Sequence, residues 1–235
     1  MTTTALVLGG GNALGAYHGG AFAAIIEEDL RVDWIAGSSI GAITAALIAG
    51  SAPEKRVETL REFWRRAGFP SVGEASWLPK EWRQPLQLAS ALQARLLGRP
   101  ALFHPRLLEL ADRDRPPGLY DVTPLRNTLI EMIDFDRLND NTTRISVVAV
   151  DVATGEEVVF DSHDELIGVE HLLASAALIP DFQPVTINGR VLVDGGLADN
   201  VPVDVVLSRL PEVPLTCFVL DLFPTCAPPP SRLLR

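Results

Sequence analysis

The stretch Val32-Asp33-Trp34-Ile35-Ala36-Gly37-Ser38-Ser39-Ile40-Gly41-Ala42-Ile43-Thr44-Ala45-Ala46-Leu47-Ile48-Ala49-Gly50 carries the reading on which the fold depends. Val32 to Ala36 has the composition of a short buried strand, and Gly37 to Gly41 reads as a tight turn. Ile40 to Ala49 is an apolar run suited to a buried helix, closed by Gly50. The same order stands just upstream: apolar Ala5 to Leu8, then Gly9, Gly10 and Gly11, then small and apolar residues from Ala13 to Glu28. Strand, glycine turn and helix, twice in succession, predict an α/β fold with a parallel sheet and crossover helices.

Outward from this pair, Pro53 starts a charged helix ending near Gly68, whose Phe63 and Trp64 are expected to face the core. Between Phe69 and Gly118 prolines 70, 79, 85, 100, 105, 116 and 117 loosen the pattern around one helical piece, marked by Leu86, Ala89, Leu92 and Leu96. Residues 69–118 read as a cap or insertion over the sheet, so the chain is expected to be one domain over 1–235. Asp121 or Thr123 can cap a helix with Pro124 at its first position, running through Leu125, Leu129 and Ile133. Thr143 to Val150 and Val158 to Phe160 read as strands, and Val169 to Ser175 as a helix. Asn188-Gly189 signals a hairpin between Val185–Ile187 and Arg190–Val193, and Leu215 to Leu222 is the last expected strand.

At 235 residues, 47% hydrophobic and 21% charged, the chain has the make-up of a globular protein with a substantial core, which excludes disordered and low-complexity classes. The formal charge of -10 argues against unspecific binding to nucleic acid or an anionic bilayer. Cys217 and Cys226 make neither a disulfide framework nor a metal-ligand pattern and read as reduced thiols. The start carries no signal-peptide pattern and the run Ile40 to Ala49 is too short to span a bilayer, which predicts a cytoplasmic protein. Yet the mean hydropathy is slightly positive, and residues 61–115 carry a basic excess of four. That excess overlaps the insertion, where Trp77, Leu78, Trp82 and the leucines of 86–97 are candidates for peripheral contact with a lipid interface. A solvated cap fits the same pattern.

Three places can carry chemistry. Gly37-Ser38-Ser39-Ile40-Gly41 is a G-x-S-x-G pentapeptide between a predicted strand and helix, where flanking glycines leave room to lift the Ser39 hydroxyl clear at a helix N-terminus. A structural Gly/Ser turn would look the same. Gly9-Gly10-Gly11-Asn12-Ala13-Leu14-Gly15 can point backbone N–H groups at an anion. Its spacing is not G-x-G-x-x-G, and Ala16 stands where a P-loop needs lysine, leaving an oxyanion hole or a structural turn. Asp194, in Val193-Asp194-Gly195-Gly196, can hold a carboxylate at a sheet end, although an ordinary turn fits as well. Of the four histidines, His163 or His171 would be required by a Ser-His-Asp triad, and neither is well placed in the pattern.

Taken together, the glycine loop after the first strand, the G-x-S-x-G turn after the second and Asp194-Gly195-Gly196 far downstream resemble the patatin-like phospholipase family. The stretch Ala174-Ser175-Ala176-Ala177-Leu178-Ile179-Pro180, with Phe182 and Pro184, adds to the resemblance, which runs from Ala5 to about Asp221. The resemblance implies a three-layer α/β/α fold with a mostly parallel central sheet and hydrolysis of lipid acyl esters of the phospholipase A or lysophospholipase kind. It also implies a serine–aspartate dyad that needs no histidine, metal or cofactor. Carried over, Ser39 is the nucleophile, Asp194 the base, and the amides of Gly10, Gly11 and Asn12 the oxyanion donors. Gly9, Gly15, Gly37, Gly41, Gly195 and Gly196 are the motif glycines. The implied partner is a lipid or acyl-ester substrate. Asn12 stands where the family often has glycine and Leu14 where it often has a basic residue, so a lipid- or protein-binding member that has lost turnover is the alternative. Family members often continue past the last strand found here, which predicts a trimmed C-terminus.

Overall fold

The computed structural model of the chain describes residues 2–68, 80–106, 118–210 and 213–223. β1 (Thr3–Leu8) leads through a 3-10 turn, Asn12–Gly15, into α1 (Ala16–Glu27), and β2 (Trp34–Ser38) leads into α2 (Ile40–Ala49). α3 (Arg56–Ala67) and α4 (Lys80–Leu97) follow, then the two-residue strands β3 (His104–Pro105) and β4 (Tyr120–Asp121), α5 (Thr123–Met132) and α6 (Phe135–Leu138). The second half runs through β5 (Arg144–Asp151), β6 (Glu157–Asp161), α7 (Val169–Ser175) and the hairpin of β7 (Val185–Ile187) and β8 (Arg190–Asp194). It ends with α8 (Val203–Leu207) and β9 (Leu215–Leu220).

The sheet is mixed with a parallel centre. β9, β1, β2 and β5 lie side by side and parallel, while β6 and β8 run antiparallel to β5 and β7 antiparallel to β8. Strand alternation divides the apolar side chains between two cores. Leu6, Leu8, Ile35, Ile145 and Val147 pack under helices α1, α2, α3, α5 and α7, whereas Ala5, Val7, Trp34, Ala36 and Val148 pack against Val205 and Val206 of α8. Helices therefore cover both faces, giving three layers. α2 is apolar all round because it is buried all round, with every residue from Gly41 to Ala49 inside.

β5 divides one of its edges between two strands. β2 pairs along it from Trp34↔Arg144 to Ser38↔Val148, and β6 takes the opposite edge through Val150↔Glu157. Where β2 leaves, β8 arrives from the other direction, pairing Asp194↔Ala149 through Leu192↔Asp151. The C-terminal ends of β2 and β8 thus meet on neighbouring residues of β5. The far end of β2 is fastened to β5 and β6 by a buried network: Trp34 Nε1 donates to Ser146 Oγ (2.9 Å), and the Ser146 hydroxyl donates to Asp161 Oδ2 (2.7 Å). Arg144 pairs with Asp161 at 2.8 Å while stacking 3.9 Å over the Trp34 ring.

Most expected elements are present with shifted ends. β2 runs two residues further than Val32–Ala36, because pairing with β5 continues through Gly37 and Ser38. Phe63 is buried and Trp64 packs beside it, while Asp121 Oδ1 accepts the Thr123 N–H at the start of α5. Asn188 and Gly189 both have positive φ, as a two-residue hairpin turn of this hand requires. In the expected cap, Leu92 and Leu96 of α4 face outward. The stretches 69–79 and 107–117, with Trp77, lie outside the described residues, as do Cys226 and the tail. Among the described residues no helix is long and apolar enough to cross a membrane.

Candidate active site

Ser39 sits between β2 and α2 with φ 56 and ψ -124, a conformation that costs an L residue about 1–3 kcal/mol. Its surroundings over-determine it. The Ser39 N–H donates to Ser175 Oγ (2.9 Å), and its carbonyl accepts the N–H groups of Ala42 (3.0 Å) and Ile43 (3.2 Å). Close approach explains the flanking glycines: a Cβ on Gly37 would lie 2.5 Å from the Gly41 carbonyl carbon, and one on Gly41 would strike the Leu8 carbonyl oxygen. The elbow is folded tightly on itself and on β1.

The Ser39 hydroxyl donates to Asp194 Oδ2 at 2.7 Å, with 6% of Ser39 and 3% of Asp194 exposed. The second carboxylate oxygen, Oδ1, accepts the Gly196 N–H (2.8 Å), and the Asp194 N–H donates to the Ala177 carbonyl (3.1 Å). Burial pushes the Asp194 carboxyl above its ordinary range, and the Ser39 and Gly196 hydrogen bonds pull it only part of the way back. A carboxylate with a raised proton affinity, already receiving a serine O–H, is arranged to take that proton. Gly195 is required because a Cβ there would strike the Val148 carbonyl oxygen, and one on Gly196 would lie 2.8 Å from Asn200 Oδ1.

The glycine loop borders the same place, since a Cβ on Gly10 would lie 3.1 Å from Ser39 Cβ. The Gly9 N–H donates to the Leu220 carbonyl (3.0 Å) and the Gly10 N–H to the Asn200 carbonyl (3.0 Å). Gly10, expected as an oxyanion donor, therefore has its amide engaged by a backbone carbonyl. The amides of Gly11 and Asn12 have no partner among the described residues. Gly15 packs the loop onto the elbow, where a Cβ would lie 2.5 Å from Ile40 Cγ1, and Leu14 is half exposed.

Among the described residues no histidine hydrogen-bonds Ser39. His163 is exposed, and His171 Nδ1 accepts the Gly168 N–H (2.9 Å) with Nε2 3.7 Å from Glu165. Two further residues, Ser175 and Asn200, border the site. Ser175 is a lone hydroxyl in an apolar helix end, which signals a buried partner. Asn200 carries no such signal. Among the described residues no group of three or more His, Cys, Asp or Glu side chains is gathered to hold a metal ion.

A family model described as patatin-like phospholipase matches residues 6–207, from β1 through α8, so the match takes in the glycine loop, Ser39 and Asp194. The chain belongs to the patatin-like phospholipase family. Among curated relatives, this patatin-like chain is 28% identical over 214 residues to the patatin-like phospholipase domain-containing protein ZK370.4 of Caenorhabditis elegans. That match covers 91% of the chain and 13% of the relative. It is 29% identical over 203 residues to the lysophospholipase NTE1 of Mycosarcoma maydis, covering 86% of the chain and 9% of the relative. The chain thus spans a small fraction of the length of these proteins. Among solved structures, VipD from Legionella pneumophila shares the fold, with a TM-score of 0.50 at 16% identity over 92% of this chain and 49% of that one.

Proposed function

We propose that the chain is a serine acyl hydrolase that cleaves acyl esters of lipids, with Ser39 as nucleophile and Asp194 as base. The observation that carries the proposal is the 2.7 Å hydrogen bond from a strained, buried Ser39 to a carboxyl of raised proton affinity. As Ser39 Oγ attacks the ester carbonyl, its proton passes to Asp194 Oδ2 and the carbonyl electron pair moves onto oxygen. The free amides of Gly11 and Asn12 receive that oxyanion. Collapse expels the alcohol, which takes the proton back from Asp194. Water, deprotonated by the same carboxylate, then releases the fatty acid and regenerates Ser39. The names of the relatives, phospholipase and lysophospholipase, favour a phospholipid or lysophospholipid.

Residues 69–118 are proposed as a cap within a single domain, and as the part that meets a lipid interface from the cytoplasm. Its net excess of two basic side chains, seven against five, and the outward Leu92, Leu96 and Leu97 of α4 support that contact. The test is hydrolysis of a panel of lysophospholipids, phospholipids and p-nitrophenyl esters, with labelling by a fluorophosphonate. Wild type is expected to hydrolyse and to label once, at Ser39. Hydrolysis retained in Ser39→Ala refutes the assignment, and a folded wild type that neither labels nor hydrolyses supports a binding protein instead.

A further inference from the structure

Asn200 touches the glycine loop in three ways. Its backbone carbonyl accepts the Gly10 N–H (3.0 Å), and its side-chain Nδ2 donates to the Gly10 carbonyl (3.2 Å). A carbonyl can only accept, so the carboxamide's orientation is fixed: nitrogen toward Gly10 O. Its Oδ1 then fills the space beside two glycines, 2.5 Å from where a Cβ on Gly10 would sit and 2.8 Å from one on Gly196. The side chain is wedged between the loop that follows β1 and the segment that carries Asp194.

The Gly10 carbonyl and the Gly11 N–H belong to one planar trans peptide, in which C=O and N–H point in opposite directions. Fixing the carbonyl on one side fixes the N–H on the other. This peptide joins two glycines, the second at φ 156, so little steric resistance opposes its rotation. A half-turn would present the carbonyl oxygen where the N–H now points, replacing a donor by an acceptor. We infer that Asn200 is a positioning residue for the oxyanion site: by holding the Gly10 carbonyl, its amide keeps the Gly11 N–H aimed as a donor. The bond from Nδ2 also polarises the peptide, strengthening the N–H as a donor. The inference rests on the hydrolase reading of the preceding subsection.

The test compares wild type with Asn200→Asp, close in shape but unable to donate when ionised, and Asn200→Ala. The backbone bond from Gly10 N–H to residue 200 survives in both. Each variant is assayed on an oxygen ester and its thionoester, whose sulfur is a poor acceptor for amide donors. Loss of one oxyanion donor lowers kcat about 10²–10³-fold, and a loss of about 10²-fold is expected in each variant with KM little changed. The wild-type preference for the oxygen ester should collapse toward unity. A loss of folded protein lowers both rates equally and leaves this ratio alone, so partial unfolding does not imitate the result. The acid limb of the pH profile, which belongs to Asp194, should not move in Asn200→Ala, whereas in Asn200→Asp the new carboxylate beside Gly196 and Asp194 should shift it to higher pH, so the two substrates are compared on the pH plateau. An active wild type whose oxygen-to-sulfur ratio persists in both variants overturns the inference and leaves the hydrolase reading intact. A folded, inert wild type overturns both.

Discussion

Replacing Ser39 by glycine and by alanine isolates the strain stored at the elbow. Both variants lose the hydroxyl and its hydrogen bond to Asp194, so these losses cancel in the comparison. What differs is the Cβ. At φ 56 and ψ -124 an L residue costs about 2 kcal/mol, within the usual 1–3, and glycine escapes that cost. Against it stand about 0.7 kcal/mol of extra unfolded-chain entropy for glycine and up to about 0.8 kcal/mol for a buried methyl group. The balance favours Ser39→Gly over Ser39→Ala by about 0.5 kcal/mol, or a Tm about 1–2 °C higher in a domain of this size. The ordinary order is the reverse: Ala42→Gly, in buried and regular α2, should lose about 1–2 kcal/mol. Urea unfolding of the four proteins reads all three differences. A Ser39→Gly variant less stable than Ser39→Ala by 1 kcal/mol or more would refute a strained elbow, and with it the reason for the bonds to Ser175 and Ala42.

Asp194→Asn should lower kcat about 10³–10⁴-fold while leaving the protein at least as stable at neutral pH, since a neutral amide avoids the burial that raises the carboxyl's pKa; calorimetry and ester hydrolysis check the pair. In wild type, kcat/KM should fall as pH drops through the raised Asp194 pKa, because the protonated carboxyl accepts no proton. His18 is fully buried, which lowers its pKa to about 4, so the unfolded chain takes up a proton below about 6.5 that the folded chain refuses. Its contribution is complete above pH 6.5 and is lost toward pH 4 by on the order of 3 kcal/mol; urea melts of His18→Gln should show a shallower pH slope across this window. Gly20→Ala, on the exposed side of α1 with no atom within 4 Å of the new Cβ, should gain up to about 1 kcal/mol. Gly41→Ala should lose about 1–3 kcal/mol and all hydrolysis, because its Cβ meets the Leu8 backbone, which cannot rotate away. Thermal melts compare the two.

The parts of the fold legible in the sequence are those with a local physical cause. Ile40–Ala49 reads to the residue because a uniformly apolar run flanked by glycines has one solution, and Asn188-Gly189 sets its hairpin because few residues accept positive φ. Gly37 and Ser38 read as turn by local preference, yet pairing with Val147 and Val148 makes them strand. α6 and α8, of four and five residues, are too short to show a period. At the site, residue types were legible and their engagement was not. The Gly10 amide looks as available as that of Gly11 until Asn200, 190 positions later, brings a carbonyl to it.

Asp194 illustrates how a weak local signal becomes specific through topology. By itself Val193-Asp194-Gly195 fits many turns. Its partner is chosen by β5, whose edge passes from β2 to β8 between Val148 and Ala149, so the two strand ends are neighbours before any side chain is considered. Strand alternation then matters as much as proximity, because a one-residue slip of β8 would turn Asp194 to the other face of the sheet and bury Val193 or Gly195 beside Ser39 instead. Three constraints oppose that slip: the two-residue Asn188-Gly189 turn, the Asp194 N–H bond to Ala177, and Gly195, whose missing Cβ alone allows its approach to the Val148 carbonyl. The glycine after the aspartate is thus part of the register, and the register is what delivers a carboxylate to the serine.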